Sequence, residues 1–308
     1  MSAISGTVSK QRPEVSWWRK RGVREALVAF LFVLPALLNF TLFRYYPIAW
    51  AFRTSFWDYS FLGGYRDMVG LNNYIRAFTM DPIFWSSMRT TLTYGIFYIP
   101  IQVSLALALA LFAVQKKPGV GTLRALIFIP VVTSFVVVSI IWGMILNQDV
   151  GLVNSILQTL GFPRQAFLTS RENALPSIIA ISIWKNVGYS LIIFVAGLKG
   201  IPEMYYEAAI VDGANPWQRF WKITLPLLRR HLMFVTVWAT LGAFQVFIPI
   251  YTLTNGGPSR ATNVIVYYIY RQAFIFSEMG YATALSIILL ITILIITMIL
   301  MRLLRSEE

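Results

Sequence analysis

The sequence predicts an all-α membrane protein of six transmembrane helices with both termini in the cytoplasm. Three observations carry that prediction. Of 308 residues, 57% are hydrophobic and only 13% charged, and the mean hydropathy is +0.65, which is not the profile of a soluble domain. A spanning helix needs about 20 mainly apolar residues. Six such runs recur along the chain, at 26–43, 90–114, 125–146, 175–198, 232–253 and 282–301. Finally, the 26 Lys and Arg residues divide unevenly between alternate connections, and basic residues favour cytoplasmic loops.

In chain order, residues 1–25 form a cytoplasmic tail, polar up to about Ser16 and basic at Arg19, Lys20, Arg21 and Arg24. Basic residues before an apolar run also mark a signal peptide. Here the tail is long, the run continues into "FRYYPIAW" and no small-residue cleavage site follows, so the run is expected to remain as the first span. The connection to the second span, "PIAWAFRTSFWDYSFLGGYRDMVGLNNYIRAFTMDPIFWSS", mixes aromatic residues with scattered charge, which suits interfacial helices along the outer leaflet. Lys116, Lys117 and Arg124 place the next connection inside, and 164–172 is expected outside. Lys199, Arg219, Lys222, Arg229 and Arg230 place 199–230 inside, and Arg302 and Arg305 do the same for the C-terminus.

Residues 26–305 therefore read as one membrane domain. Its topology and contact with anionic lipid account for the formal charge of +13. A nucleic-acid partner is a poor fit, because the basic residues are shared among separate loops. The absence of cysteine excludes disulfides, thiolate metal sites and cysteine nucleophiles. The single histidine, His231, reads as an interfacial residue rather than a metal ligand. No metal or other cofactor is expected, and no paired carboxylates within the spans suggest a membrane-embedded enzyme.

The inner segment "YEAAIVDGANPWQRFWKITLPLL" stands out for its charge. Residues 203–211 are compatible with a helix, Gly213 can take the positive φ that ends it, and Asn215 followed by Pro216 reads as the cap and first position of a second helix. Ala208 and Ala209 leave the backbone approachable, with Glu207 and Asp212 offering charge nearby. A helix of this kind, projecting from a membrane, is built to be gripped by another protein.

At these residues the chain resembles the permease subunits of carbohydrate-type ATP-binding-cassette importers, similar to the maltose-type permeases. The family's signature is Glu-Ala-Ala, three residues, Gly, nine residues, Ile, one residue, Leu-Pro. It stands complete as Glu207, Ala208, Ala209, Gly213, Ile223, Leu225 and Pro226. "YPIAWAFRTSFWDY", "GLNNY", "LIFIPVVTS", "ALPSIIAISIWKNVGYSLIIFVAGLKGIP" and "TLTNGGP" look like family segments in family order. The resemblance implies a type I importer permease fold and a coupling helix around Glu207 to Asp212 that seats in an ATPase groove. It also implies as partners a second related permease, two ATPase subunits, and a solute-binding protein that delivers a sugar. The chain has no G-x-x-x-x-G-K-[ST] phosphate loop, so hydrolysis is expected from the separate subunits.

Polar residues on one face of a span point to the cargo path, since such groups are costly in lipid. Ser182, Lys185, Asn186 and Tyr189 share a helical stripe in the fourth span. Tyr94, Tyr98 and Gln102 do so in the second, and Thr240 and Phe244, with Gln245 adjacent, in the fifth. Hydroxyls, amides and aromatic faces suit a neutral sugar. Lys185 would instead suit an anionic cargo such as glycerol 3-phosphate or a uronide. The alternative for every one of these residues is helix-to-helix bonding without contact to a solute. A non-transporting sensor or scaffold would share the six spans but gives no reason for the complete inner motif.

Overall fold

The computed structural model describes residues 21–115 and 117–304, with side chains from residue 25 onward except at 116. Among these, five helices are long and apolar enough to cross a membrane, and a bent pair makes a sixth span if its two arms count as one. Of the described residues, those through Arg53 fall in one unit and those from Thr54 onward in another. The first unit is a helix that runs on through one wider turn at Thr41–Tyr45 into Tyr46–Thr54. This first span, Glu25–Thr54, is thus longer than the apolar run 26–43. Hydropathy marks only the part that must lie in lipid, and the helix continues through the aromatic residues beyond it.

In the second unit the remaining unbroken spans are Pro82–Ala113, Ala174–Lys199 and Met279–Leu304. The second span begins at Pro82 rather than at 90 because Asp81 caps it, accepting hydrogen bonds from the N–H groups of Ile83 and Phe84, with Pro82 in the first turn. The fourth span, Ala174–Lys199, is central: 67% of its most apolar stretch is buried, more than in any other span. It packs on the second span and on the first arm of the third. Glycines permit the closest approaches, as expected where lipid supplies no hydrophobic drive between helices. A Cβ on Gly188 would lie 2.4 Å from the Ile127 carbonyl oxygen, and one on Gly197 would lie 2.7 Å from the His231 ring. His231 is therefore a packing residue against the fourth span, and no group of potential metal ligands occurs among the described residues.

Three expectations need correction. The third span is not one helix over 125–146 but two arms, Val120–Val132 and Phe135–Ile145, set at 102°. Thr133 and Ser134 between them are extended, and Pro130 has already removed one donor from the last turn. The fifth span, Arg229–Leu253, is interrupted too: helix Arg229–Phe244 stops, Gln245 to Phe247 leave the helix, and Ile248–Leu253 resumes with Pro249 in its first turn. The connection after the first span holds an antiparallel hairpin, β1 (Trp57–Ser60) and β2 (Gly64–Met68), and not only interfacial helices. Tyr59 pairs with Tyr65 and Ser60 with Gly64, whose φ of +64° makes the turn, and the Ser60 hydroxyl accepts the Gly63 N–H at 2.9 Å.

Candidate functional site

The motif lies in the connection between the fourth and fifth spans, where backbone chemistry fixes two short helices at their joint. Helix Glu203–Val211 ends in a left-handed cap: Gly213 has φ +77°, its N–H donates to Ile210 O at 3.0 Å, and the N–H of Ala214 donates to Ala209 O at 2.8 Å. Asn215 then opens helix Pro216–Arg219 with a reciprocal box. Its side chain accepts from Gln218 N–H while Gln218 Oε1 accepts from Asn215 N–H, each at 2.9 Å. The Tyr206 and Thr224 hydroxyls, 3.0 Å apart, tie the first helix to the chain beyond the second.

The motif divides by exposure. Glu207, Ala208, Asp212, Gly213 and Pro226 face out, whereas Ala209, Ile223 and Leu225 are half-buried, Leu225 against the bundle core. Around the exposed carboxylates lie Met204, Ile210, Trp217, Trp221 and Val211, the last 87% exposed. Large apolar side chains are thus left bare on a segment that also carries two exposed carboxylates.

Between the spans, the structure splits each polar stripe. Tyr98, Asn186, Tyr189 and Gln245 line a cavity of about 370 Å³ bounded by the second, fourth and fifth spans and by Val131 of the third. Asn186 donates to the Tyr98 hydroxyl at 3.2 Å, and buried Gln102 donates to the Ser190 hydroxyl at 3.4 Å while its Oε1 has no partner. Tyr189 and Trp238 lean together with ring centres 5.3 Å apart, giving the cavity an aromatic wall. No charged side chain lines it among the described residues.

Ser182, Lys185, Thr240 and Phe244 are not in that lining. Ser182 is buried one turn away. Lys185 sends its ammonium to the carbonyls of Pro130 and Val131, at 3.2 and 3.3 Å. Thr240 donates to Thr236 O at 2.8 Å, and Phe244 packs over Gly95. In the fifth span the cavity face is Trp238, Leu241, Gly242 and Gln245. That is a helical stripe beside the one formed by Thr240 and Phe244. Trp238 and Ser190 escaped the sequence reading, although the period of the Trp238 stripe could have revealed it.

A second polar cluster, not anticipated from sequence, closes the hairpin end of the bundle. Asp81 Oδ2 accepts hydrogen bonds from the Tyr268 and Tyr281 hydroxyls, both at 2.5 Å. Burial pushes the Asp81 carboxyl up, but these two bonds and the N–H groups of Phe84 and Ile83 outweigh it and hold the group below the usual carboxylate range. Arg76 lies 4.1 Å over the Tyr281 ring and pairs with Glu278 at 2.8 Å.

A helical bundle with a neutral, aromatic-walled cavity among its spans and an exposed helix pair at one connection is a membrane transport subunit. Residues 90–307 match the family described as binding-protein-dependent transport system inner membrane component, and the chain belongs to that family. It is similar to the probable ABC transporter permease protein YesP of Bacillus subtilis, at 34% identity over 92% of this chain and 93% of the relative. The arabinooligosaccharides transport system permease protein AraP of the same organism is 33% identical over 94% of this chain and 92% of its own. Among solved structures, a bacterial alginate ABC transporter in complex with an alginate pentasaccharide-bound periplasmic protein aligns with a TM-score of 0.79. It is 26% identical over 95% of this chain and 99% of that one.

Proposed function

We propose that the chain is one permease of an ATP-binding-cassette importer that carries a sugar or oligosaccharide across the inner membrane. The observation that carries the cargo class is the cavity: Tyr98, Asn186 and Gln245 offer hydrogen bonds, Tyr189 and Trp238 offer flat apolar surface, and no charge intrudes. That chemistry suits the hydroxyls and C–H faces of a neutral glycosyl unit. The relatives that carry arabinooligosaccharides and alginate support a carbohydrate reading. Lys185, which suggested an anionic polyol or uronide, is engaged by backbone carbonyls and lies outside the cavity lining, so the preference for a neutral glycosyl unit rests on the cavity alone, while the alginate transporter itself carries an acidic polysaccharide.

Both termini and the loop 199–230 face the cytoplasm, where most of the loop charge lies. Two ATPase subunits take up helix Glu203–Val211 and its counterpart on a second, related permease, which completes the pathway around a pseudo-twofold axis. Trp238 and Gln245, exposed on this chain, form the rim that the second permease covers. A solute-binding protein delivers cargo from outside. ATP-driven closure of the ATPase dimer draws the two helices together and turns the cavity outward, and hydrolysis returns it. Nothing covalent happens to the cargo.

Uptake by the reconstituted complex tests this directly. Asn186→Ala or Tyr189→Ala should slow uptake of a neutral oligosaccharide without preventing assembly, each lost hydrogen bond costing about 0.5 to 1.5 kcal/mol. Wild-type uptake by both variants would remove the cavity from the pathway.

A further inference from the structure

A lysine buried in a membrane bundle is costly unless it is paired, and a methionine would fill the same space without that cost. Lys185 is 6% exposed, and among the described residues it forms no ion pair. Its surroundings explain where the charge is used. The Val120–Val132 arm ends at the 102° break with its last-turn carbonyls at the negative end of its dipole, and Pro130 O also accepts from the Thr133 hydroxyl at 2.6 Å and N–H at 3.3 Å. Two of them, Pro130 O and Val131 O, accept from Lys185 Nζ. On the other side of the break, the Phe135 ring of the second arm lies 5.4 Å from the same nitrogen. One ammonium on the fourth span therefore touches both arms of the third.

The same stretch of the fourth span carries a second restraint. Gly188 lets the Val120–Val132 arm come so close that a Cβ would also lie 3.0 Å from Val131 Cγ2. Val131 is the third span's contribution to the cavity wall. The position of the broken turn thus sets the shape of the cavity.

We propose that Lys185 is a positioning residue for transport: it clamps the two arms of the third span through its charge and so holds Val131 in the cavity wall, without reading the cargo. The proposal rests on the importer reading, but its first readout does not require transport. The chain lacks cysteine, so spin labels placed through Ile129→Cys and Ile140→Cys, on exposed positions of the two arms, report the bend directly in the assembled complex.

Lys185→Arg, which keeps the charge and the donors, should preserve a narrow distance distribution and rescue uptake. Lys185→Met should broaden or shift that distribution. It should also lower the maximal uptake rate of a neutral oligosaccharide by about tenfold or more, as expected when hydrogen bonds to a charge are lost. The loaded binding protein should keep its half-saturating concentration. Where the Met variant fails to assemble, Lys185→Gln keeps a donor without the charge and is read in the same way. An unchanged distance distribution in Lys185→Met overturns the clamp. So does loss of acidic cargo alone with neutral sugars still entering at the wild-type rate, which would make Lys185 a cargo reader. A wild-type complex that moves no sugar while the distance responds as stated would instead remove the carbohydrate reading and leave the clamp standing.

Discussion

The loop that joins the fourth and fifth spans and the hairpin end of the bundle are built on opposite plans. In the loop, the restraints at the exposed joint are local: Gly213 reverses the chain, Asn215 and Gln218 cap each other three residues apart, and a longer tie, between the Tyr206 and Thr224 hydroxyls, stays within the segment. Glu207, Ile210, Val211, Asp212 and Trp217 are left in the open. At the hairpin end the restraints cross long stretches of chain. Asp81 meets Tyr268 and Tyr281, Asn263 donates to Ser87 at 2.8 Å, and Gly280 at the start of the sixth span lies against Trp57 in β1. The hairpin end holds the bundle together, and the loop offers a surface. Substitutions at the first should cost stability, and substitutions at the second should cost coupling.

The largest stability loss should follow Asp81→Ala, which strands two buried tyrosine hydroxyls and uncaps the second span. Hydrogen bonds to a charged group are worth about 1.5 to 3 kcal/mol each, so about 3 to 6 kcal/mol is expected for the two, read as a lowered melting temperature of the purified complex. Because the Asp81 carboxyl is held below its ordinary range, its contribution is present above the unfolded value near about 3.9 and lost as pH falls through the folded one. The melting difference between wild type and Asp81→Asn should accordingly be constant above about pH 5 and shrink below about pH 4.

Next comes Gly280→Val. A Cβ there would lie 2.1 Å from the Trp57 carbonyl oxygen, so the hairpin must move, at about 1 to 3 kcal/mol. At the loop, Gly213 has open space around it and only its φ of +77° resists a side chain. Gly213→Asp should cost about 1 to 2 kcal/mol locally, visible as increased amide exchange in helix Glu203–Val211 with little change in melting. Smallest is Glu207→Ala, within about 0.5 kcal/mol of wild type, since the side chain is exposed. A large melting shift in this last variant would erase the contrast between the two regions.

The same contrast decides what could be read from the sequence. The helix pair was legible down to its caps, because a glycine that must reverse and an asparagine before a proline act on their own neighbours. Apolar runs located the spans but hid the breaks in the third and fifth. A hydropathy window does not register that Thr133 and Ser134 become extended, although Pro130 and Pro249 stood beside both interruptions. The hairpin had only a short alternation and Gly63-Gly64 to announce it, and aromatic composition masked that signal. Of the polar stripes, Tyr98, Gln102, Asn186, Tyr189 and Gln245 reach the cavity, and Tyr94, Ser182, Lys185, Thr240 and Phe244 do not. Helical period fixes which residues travel together, but neighbours decide which stripe meets the cavity, so Gln245 reached it while Thr240 and Phe244 turned toward the packed interior. Asp81 was invisible as a site because both of its tyrosines lie far along the chain.

The most direct test of the coupling account is ATP turnover and sugar uptake measured in the same proteoliposomes for wild type, Glu207→Ala and Gly213→Asp. Both variants should stay folded and accept loaded binding protein at the outer face. Both should either fail to retain the ATPase or hydrolyse ATP without matching uptake. Truncating one member of a buried interfacial charge pair costs about 2 to 5 kcal/mol, so the loss at Glu207 should be easily seen. Retention of the ATPase and transport at the wild-type rate by both variants would contradict the account.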